Sequence, residues 1–73
     1  MAKGAKNAVY RVIDVVGTSP TSWEDAARSA VATASKSLRD LRIAEVVKLD
    51  VRVEKGKVTA FRTRLSLSFK YEG

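Results

Sequence analysis

Residues 42 to 54 read RIAEVVKLDVRVE. From Val47 onward the odd positions Val47, Leu49, Val51 and Val53 are apolar, and the even positions Lys48, Asp50, Arg52 and Glu54 are charged. That period of two belongs to a strand with one face on a core, and no glycine or proline interrupts it. After Lys55-Gly56-Lys57 the alternation resumes, with Phe61, Thr63, Leu65, Leu67, Phe69 and Tyr71 on one face and Arg62, Arg64, Ser66, Ser68 and Lys70 on the other. Two such runs around a short glycine-containing loop predict a hairpin. Keeping apolar residues together sets Val53 against Thr59, Val51 against Phe61, Val47 against Leu65 and Ile43 against Phe69. The same register opposes Asp50 to Arg62.

Upstream, VYRVIDVV (residues 9–16) is rich in β-branched residues and is closed by Gly17, which predicts a first strand. GTSPTS then reads as a turn, because Pro20 biases Ser19 away from helix and Ser22 can cap the amides that follow. Ser22 with Asp25, or Thr21 with Glu24, could form a capping box. From Trp23, the residues Ala26, Ala27, Ala30, Val31, Ala34, Leu38 and Leu41 recur at three and four positions and draw one helical stripe. A stripe made mostly of alanine lets the helix lie close to a sheet. The order strand, helix, strand, strand with a right-handed crossover leaves a place for the third strand between the other two. The expectation is an α+β chain, β-α-β-β, whose three-stranded antiparallel sheet in the order 1-3-2 wraps one helix.

The proportions are unusual. A strand of about 13 residues extends roughly 40 Å, while a helix of about 18 residues covers only about 27 Å. Part of the hairpin must project, carrying Ile43, Phe69 and Tyr71 as an apolar surface that a soluble monomer rarely leaves bare. Other copies of the chain are expected to cover it. Glu45 interrupts that face between Ile43 and Val47, which leaves two readings: an arginine from another subunit pairs with it, or the strand twists or bulges there and Glu45 meets water.

The chain has 73 residues, 14 basic and 8 acidic, with a net charge of +6 and neither cysteine nor histidine. Disulfides, thiolate or imidazole metal sites, and His- or Cys-based catalysis are excluded, so a non-catalytic protein is expected. A single small core gives little net stability, and oligomerisation is the available reinforcement. No apolar run reaches the length of a membrane span, and MAKGAKN lacks the apolar region of a signal peptide, so a cytoplasmic protein without a membrane partner is expected. Residues 1–7 read as a flexible basic tail and 8–73 as one domain.

The segment YRVIDVVGTSPTSWEDAARSAVATASKSLRDLRIAEVV, followed by a hairpin ending RTRLSLSFKYE, resembles the dodecins over nearly all of the chain beyond the tail. The GTS turn before a capped helix, the tripeptide Ala44-Glu45-Val46 and the alternating last strand ending in Phe69 carry the resemblance. It implies a protomer that assembles into a hollow, roughly spherical homododecamer. It also implies flavin, FMN or a relative, stacked in pockets across two-fold axes. In that family a tryptophan just before the A-E-V segment sandwiches the flavin, and a glutamine early in the last strand hydrogen-bonds the ring edge. Ile43 stands at the tryptophan position and Arg62 at the glutamine position, so the candidate ligand residues by resemblance are Ile43, Glu45 and Arg62. Isoleucine removes the flat π surface, and arginine removes the acceptor and adds a permanent cation. Arg62 either pairs with Asp50 across the hairpin or contacts an anion. Trp23, at the helix start, reads as a packing anchor.

Three ligand classes are consistent with the residues. One is a small-molecule store for flavin or a related aromatic phosphate. A second is an ion-binding shell for calcium or magnesium, whose oxygen ligands could come from Asp14, Glu24, Asp25, Glu45 or Asp50 of several subunits. Nucleic acid is the third and weakest, since the cations Arg42, Lys48, Arg52, Arg62, Arg64 and Lys70 share a face that lacks the aromatics Phe61, Phe69 and Tyr71.

Overall fold

The computed structural model describes residue 7 and residues 9–70. Most of the tail expected at residues 1–7, together with Tyr71, lies outside the described residues. Strand β1 (Tyr10–Ser19), helix α1 (Trp23–Ser35), β2 (Leu41–Glu54) and β3 (Lys57–Lys70) follow in that order. The sheet is ordered β1-β3-β2, and both pairings are antiparallel. The expected topology holds.

Strand β1 does not stop at Gly17; it continues to Ser19. The glycine is there for contact with the helix. A Cβ at Gly17 would stand 2.2 Å from the carbonyl oxygen of Ala26 and 2.9 Å from the Cβ of Ala30, so the helix backbone sits directly on this strand. The buried Ser19 ends the strand and organises the turn: its Oγ–H donates to Asp25 Oδ2 at 2.7 Å, and it accepts from the Thr21 backbone N–H at 2.9 Å. Ser22 is the N-cap, its Oγ accepting from the Asp25 N–H at 3.0 Å. Of the two capping pairs, Ser22 with Asp25 forms, although the Asp25 carboxylate turns to Ser19 instead of back to the cap.

The helix is shorter than its apolar stripe, 13 residues instead of about 18. The last turn tightens, with Lys36 and Ser37 donating to carbonyls three residues back, and Asp40 then takes a φ of 57°. Aspartate tolerates that left-handed conformation better than most residues. Leu38 is therefore carried on the connection, and Leu41 begins β2. The Lys70 N–H donates to the Asp40 carbonyl at 3.3 Å and closes this corner onto β3.

The buried apolar residues are Ala26, Ala60, Leu65 and Leu67, with Thr63 and Ser19 also buried. Leu65 and Leu67 lie under the helix, and Thr63 Oγ1 donates to the Trp23 carbonyl at 2.9 Å. Trp23 is an anchor, as expected: its indole N–H donates to the Asp50 carbonyl at 3.0 Å, and its ring meets Phe61 edge-on at 5.2 Å.

The hairpin turns through Lys55 (φ 53°) and Gly56 (φ 77°), two consecutive positive φ values that suit a tight hairpin. Its register is as expected near the middle, where Val51 opposes Phe61 and Asp50 opposes Arg62. Elsewhere it is not. Val53 opposes Val58 instead of Thr59, Val46 opposes Leu65 in place of Val47, and Ile43 opposes Ser68 instead of Phe69. The register shifts between Arg52 and Val53, between Val46 and Lys48, and between Leu41 and Ile43. Two of the bulges add a residue to β2, at Arg42 and Val47, and the third adds Thr59 to β3; each changes the face on which the following side chains of its strand stand.

The hairpin strands have 14 residues each, so they extend beyond the shortened helix further than the sequence suggests. The radius of gyration is 15.6 Å, against about 11 Å for a compact domain of this length.

Candidate functional site

The bulge at Val47 decides where the candidate residues stand. Ala44 and Val46 line a groove of about 370 Å³ with Leu65 and the helix residues Ala27 and Val31. Ile43 and Glu45 therefore point to the opposite, outer face of the sheet. Arg62 is on that face too. The alternation alone placed Ile43 and Glu45 with the apolar set, away from Arg62; the bulge reverses this and puts all three candidates on one surface. Of the two readings of Glu45, the bulge is present, and the carboxylate is exposed.

One chain does not bring the three together. Ile43 lies opposite Ser68 and Arg62 lies six residues away along β3, a span of roughly 20 Å. Ile43 is 59% exposed. Arg62 is occupied: its Nε–H donates to Asp50 Oδ1 at 2.8 Å and its Nη2–H to Oδ2 at 3.4 Å. This two-point geometry is the strong form of a carboxylate–guanidinium contact. Both side chains remain about two-fifths exposed, so it orients Arg62 more than it stabilises the fold. The Asp50 carbonyl is also the acceptor for Trp23, which links the pair to the helix start.

The outer face has a charge order that the alternating pattern did not reveal. Asp14 and Glu45 flank Ser66 in one row, and in the next row Arg64 lies between Val16 and Lys48. Among the described residues none of these four charges has a hydrogen-bond or ion-pair partner. Tyr10, Val12, Val16, Ile43 and Val47 are exposed around them.

The other candidate carboxylates are dispersed. Asp25 accepts from Ser19, Asp50 is held by Arg62, and Glu24 is exposed in the first helical turn. Among the described residues no three acidic groups converge on a common point. The cationic face is also less uniform than its sequence: Arg42 sits 3.9 Å from Asp40 and Arg52 sits 3.8 Å from Glu54. Phe61 packs on Trp23, and Phe69 lies beneath the Arg11 guanidinium, so neither gives the cationic face a stacking platform.

The chain is thus a β-α-β-β unit whose hairpin outreaches its helix and whose candidate residues are divided over distant rows of one face. The chain belongs to the dodecin family, whose model matches residues 9–72. It is 52% identical over 64 residues to the calcium dodecin of Mycobacterium tuberculosis, covering 86% of this chain and 89% of that one. The dodecin structure from Streptomyces coelicolor superposes with a TM-score of 0.87 at 40% identity, covering 94% of this chain and 99% of that chain. The structure of the Mycobacterium tuberculosis calcium dodecin, described as a calcium-chelating immunodominant antigen, matches with a TM-score of 0.79 at 48% identity over 89% of this chain and 93% of that one. Among the described residues no helix is long and apolar enough to cross a membrane.

Proposed function

We propose that this chain is the subunit of a hollow homododecamer that binds and stores a small ligand or ion without catalysis, and that flavin is not its ligand. The observation that carries this reading is the two-point contact between Arg62 and Asp50. At the family position for flavin-edge recognition, the side chain is a donor already bound to a carboxylate. Ile43 offers apolar volume but no ring for stacking.

A specific alternative ligand is supported by the 52% identity to a protein named calcium dodecin. Calcium requires six to eight oxygen ligands at about 2.4 Å. One chain does not fit that requirement, because no three acidic groups converge among the described residues. A calcium site here would be assembled from carboxylates of several copies; among the described residues Asp14, Glu24, Asp25 and Glu45 are the acids in no ion pair with a cation of their own chain.

Two titrations test the reading. Protein added in excess to FMN is expected to leave flavin fluorescence unchanged, and strong quenching would overturn the exclusion of flavin. Calorimetry with calcium, after chelator treatment, is expected to saturate at a simple fraction of one ion per chain. The absence of heat at millimolar calcium would remove the ion reading.

A further inference from the structure

Trp23 grips the sheet at three residues that surround Arg62. Its carbonyl accepts from Thr63 Oγ1–H at 2.9 Å, its ring meets Phe61 edge-on at 5.2 Å, and its indole N–H donates to the Asp50 carbonyl at 3.0 Å. Phe61 and Thr63 are the neighbours of Arg62 along β3, and Asp50 is its partner across the strand pair. The grips come from the helix side of the sheet, while the side chains of Arg62 and Asp50 meet on the outer face.

Packing alone does not call for a tryptophan here. The side chain is 38% exposed, and a groove of about 210 Å³ lined by Trp23, Ala27, Val46 and Leu49 stays open beside it. A phenylalanine could meet Phe61 in the same way but has no donor for the Asp50 carbonyl. What that bond holds is the register of β2. Asp50 is the middle residue of Lys48–Arg52, a segment that pairs regularly with Ala60–Arg64. It lies between two irregularities, the extra Val47 of β2 at one end and the extra Thr59 of β3 at the other. A bulge on each side leaves such a segment free to slip, and a slip of one residue would turn Asp50 to the helix face, away from Arg62. Among the described residues the indole N–H makes the helix's only hydrogen bond to β2, and it falls on the centre of this segment.

We propose that Trp23 is a positioning residue for the Arg62–Asp50 pair: its indole N–H pins Lys48–Arg52 in register, so that Asp50 stays opposite Arg62 and the guanidinium stays turned to it. This rests on the functional reading that Arg62 is spent on Asp50. It adds how the choice between Asp50 and a free anion is made, from the helix start on the opposite face of the sheet.

The test follows the Arg62 Nε–H by NMR in the full chain. Trp23 is the sole tryptophan, so growth on its benzothiophene isostere replaces the N–H with sulfur and keeps the shape of the ring; Trp23→Phe is a second variant. In both, exchange of the Arg62 Nε–H with water is expected to be about tenfold faster than in the parent. In an Asp50→Ala background, where no carboxylate is left to position, the change at Trp23 is expected to have no further effect. Equal rates in parent and isostere would overturn the proposal. So would an acceleration of the same size with and without the Asp50 carboxylate, or one shared by the backbone amides of Leu65 and Leu67, since either describes general loosening. A parent Nε–H that already exchanges as fast as in Asp50→Ala would remove the pair itself, and with it the functional reading as well as this inference. That result is distinct from a pair that persists without the indole donor, which sinks the inference alone.

Discussion

Strands β1 and β2 flank the same central strand, yet they are built differently. Strand β1 pairs with β3 in one unbroken register from Tyr10 to Ser19, and its Gly17 and Ser19 are buried against the helix and its cap. Strand β2 pairs with β3 through three shifts, and none of its residues is buried. The helix-side contacts of β1 at Gly17 and Ser19 are made inside the chain, while its Tyr10, Val12, Asp14 and Val16 stay exposed on the outer face. The contacts of β2 are open on both sides: a groove at Ala44 and Val46 beneath the helix, and unpaired charge with exposed apolar groups on the outer face. Substitutions where β1 meets the helix, at Gly17 and Ser19, should therefore change folding, and those on β2 should change assembly or binding.

The largest expected effect is at the point of closest packing. Gly17→Ala would force Cβ against the Ala26 carbonyl oxygen and should cost about 3 kcal/mol, seen as a large fall in the thermal midpoint. A Gly17→Ala chain as stable as the parent would show that β1 is not the rigid side. Thr63→Val, which removes the donor to the Trp23 carbonyl in a buried site, should cost about 1 to 2 kcal/mol in urea unfolding. Asp50→Ala should cost about 1 kcal/mol or less, because the ion pair is partly solvated, and its clearest readout is a change in Trp23 fluorescence through the shared Asp50 backbone. The smallest effect is at the exposed pair Arg52–Glu54 near the hairpin tip. Glu54→Ala should change stability by about 0.5 kcal/mol at most.

The comparison is sharpened by moving the ligand preference without changing the fold. Ile43→Trp combined with Arg62→Gln supplies the ring and the acceptor that flavin recognition uses in this family. The double variant should quench FMN fluorescence where the parent does not. If parent and variant behave alike, the identity of these two side chains is not what excludes flavin.

The β1 side was legible because its signals are local. Ser22 followed by Asp25, alanines at helical spacing and β-branched residues before a glycine each describe one element, and together they gave the order β1-β3-β2. The faces of β3 were equally clear from Phe61 onward, where its alternation is uninterrupted; only the extra residue Thr59 near the turn breaks it. The β2 side was not legible, because a bulge adds a residue without a marker in composition. Val46 and Val47 are both valines, and either can stand opposite Leu65; the structure uses Val46. That one choice moves Ile43 and Glu45 to the face of Arg62. The one anomaly that marked it was Glu45, an acid on a face otherwise expected to be apolar, from which a twist or bulge was one of two readings. The helix end failed for a related reason: Leu38 and Leu41 continue the apolar period, but Asp40 turns left-handed between them.

The central claim is that β2 takes its shape for contact with other copies of this chain. Sedimentation equilibrium at micromolar concentration, with circular dichroism on the same sample, tests it most directly. The account predicts folded particles of about twelve chains and no folded single chain. A stable, fully folded monomer at that dilution would contradict it.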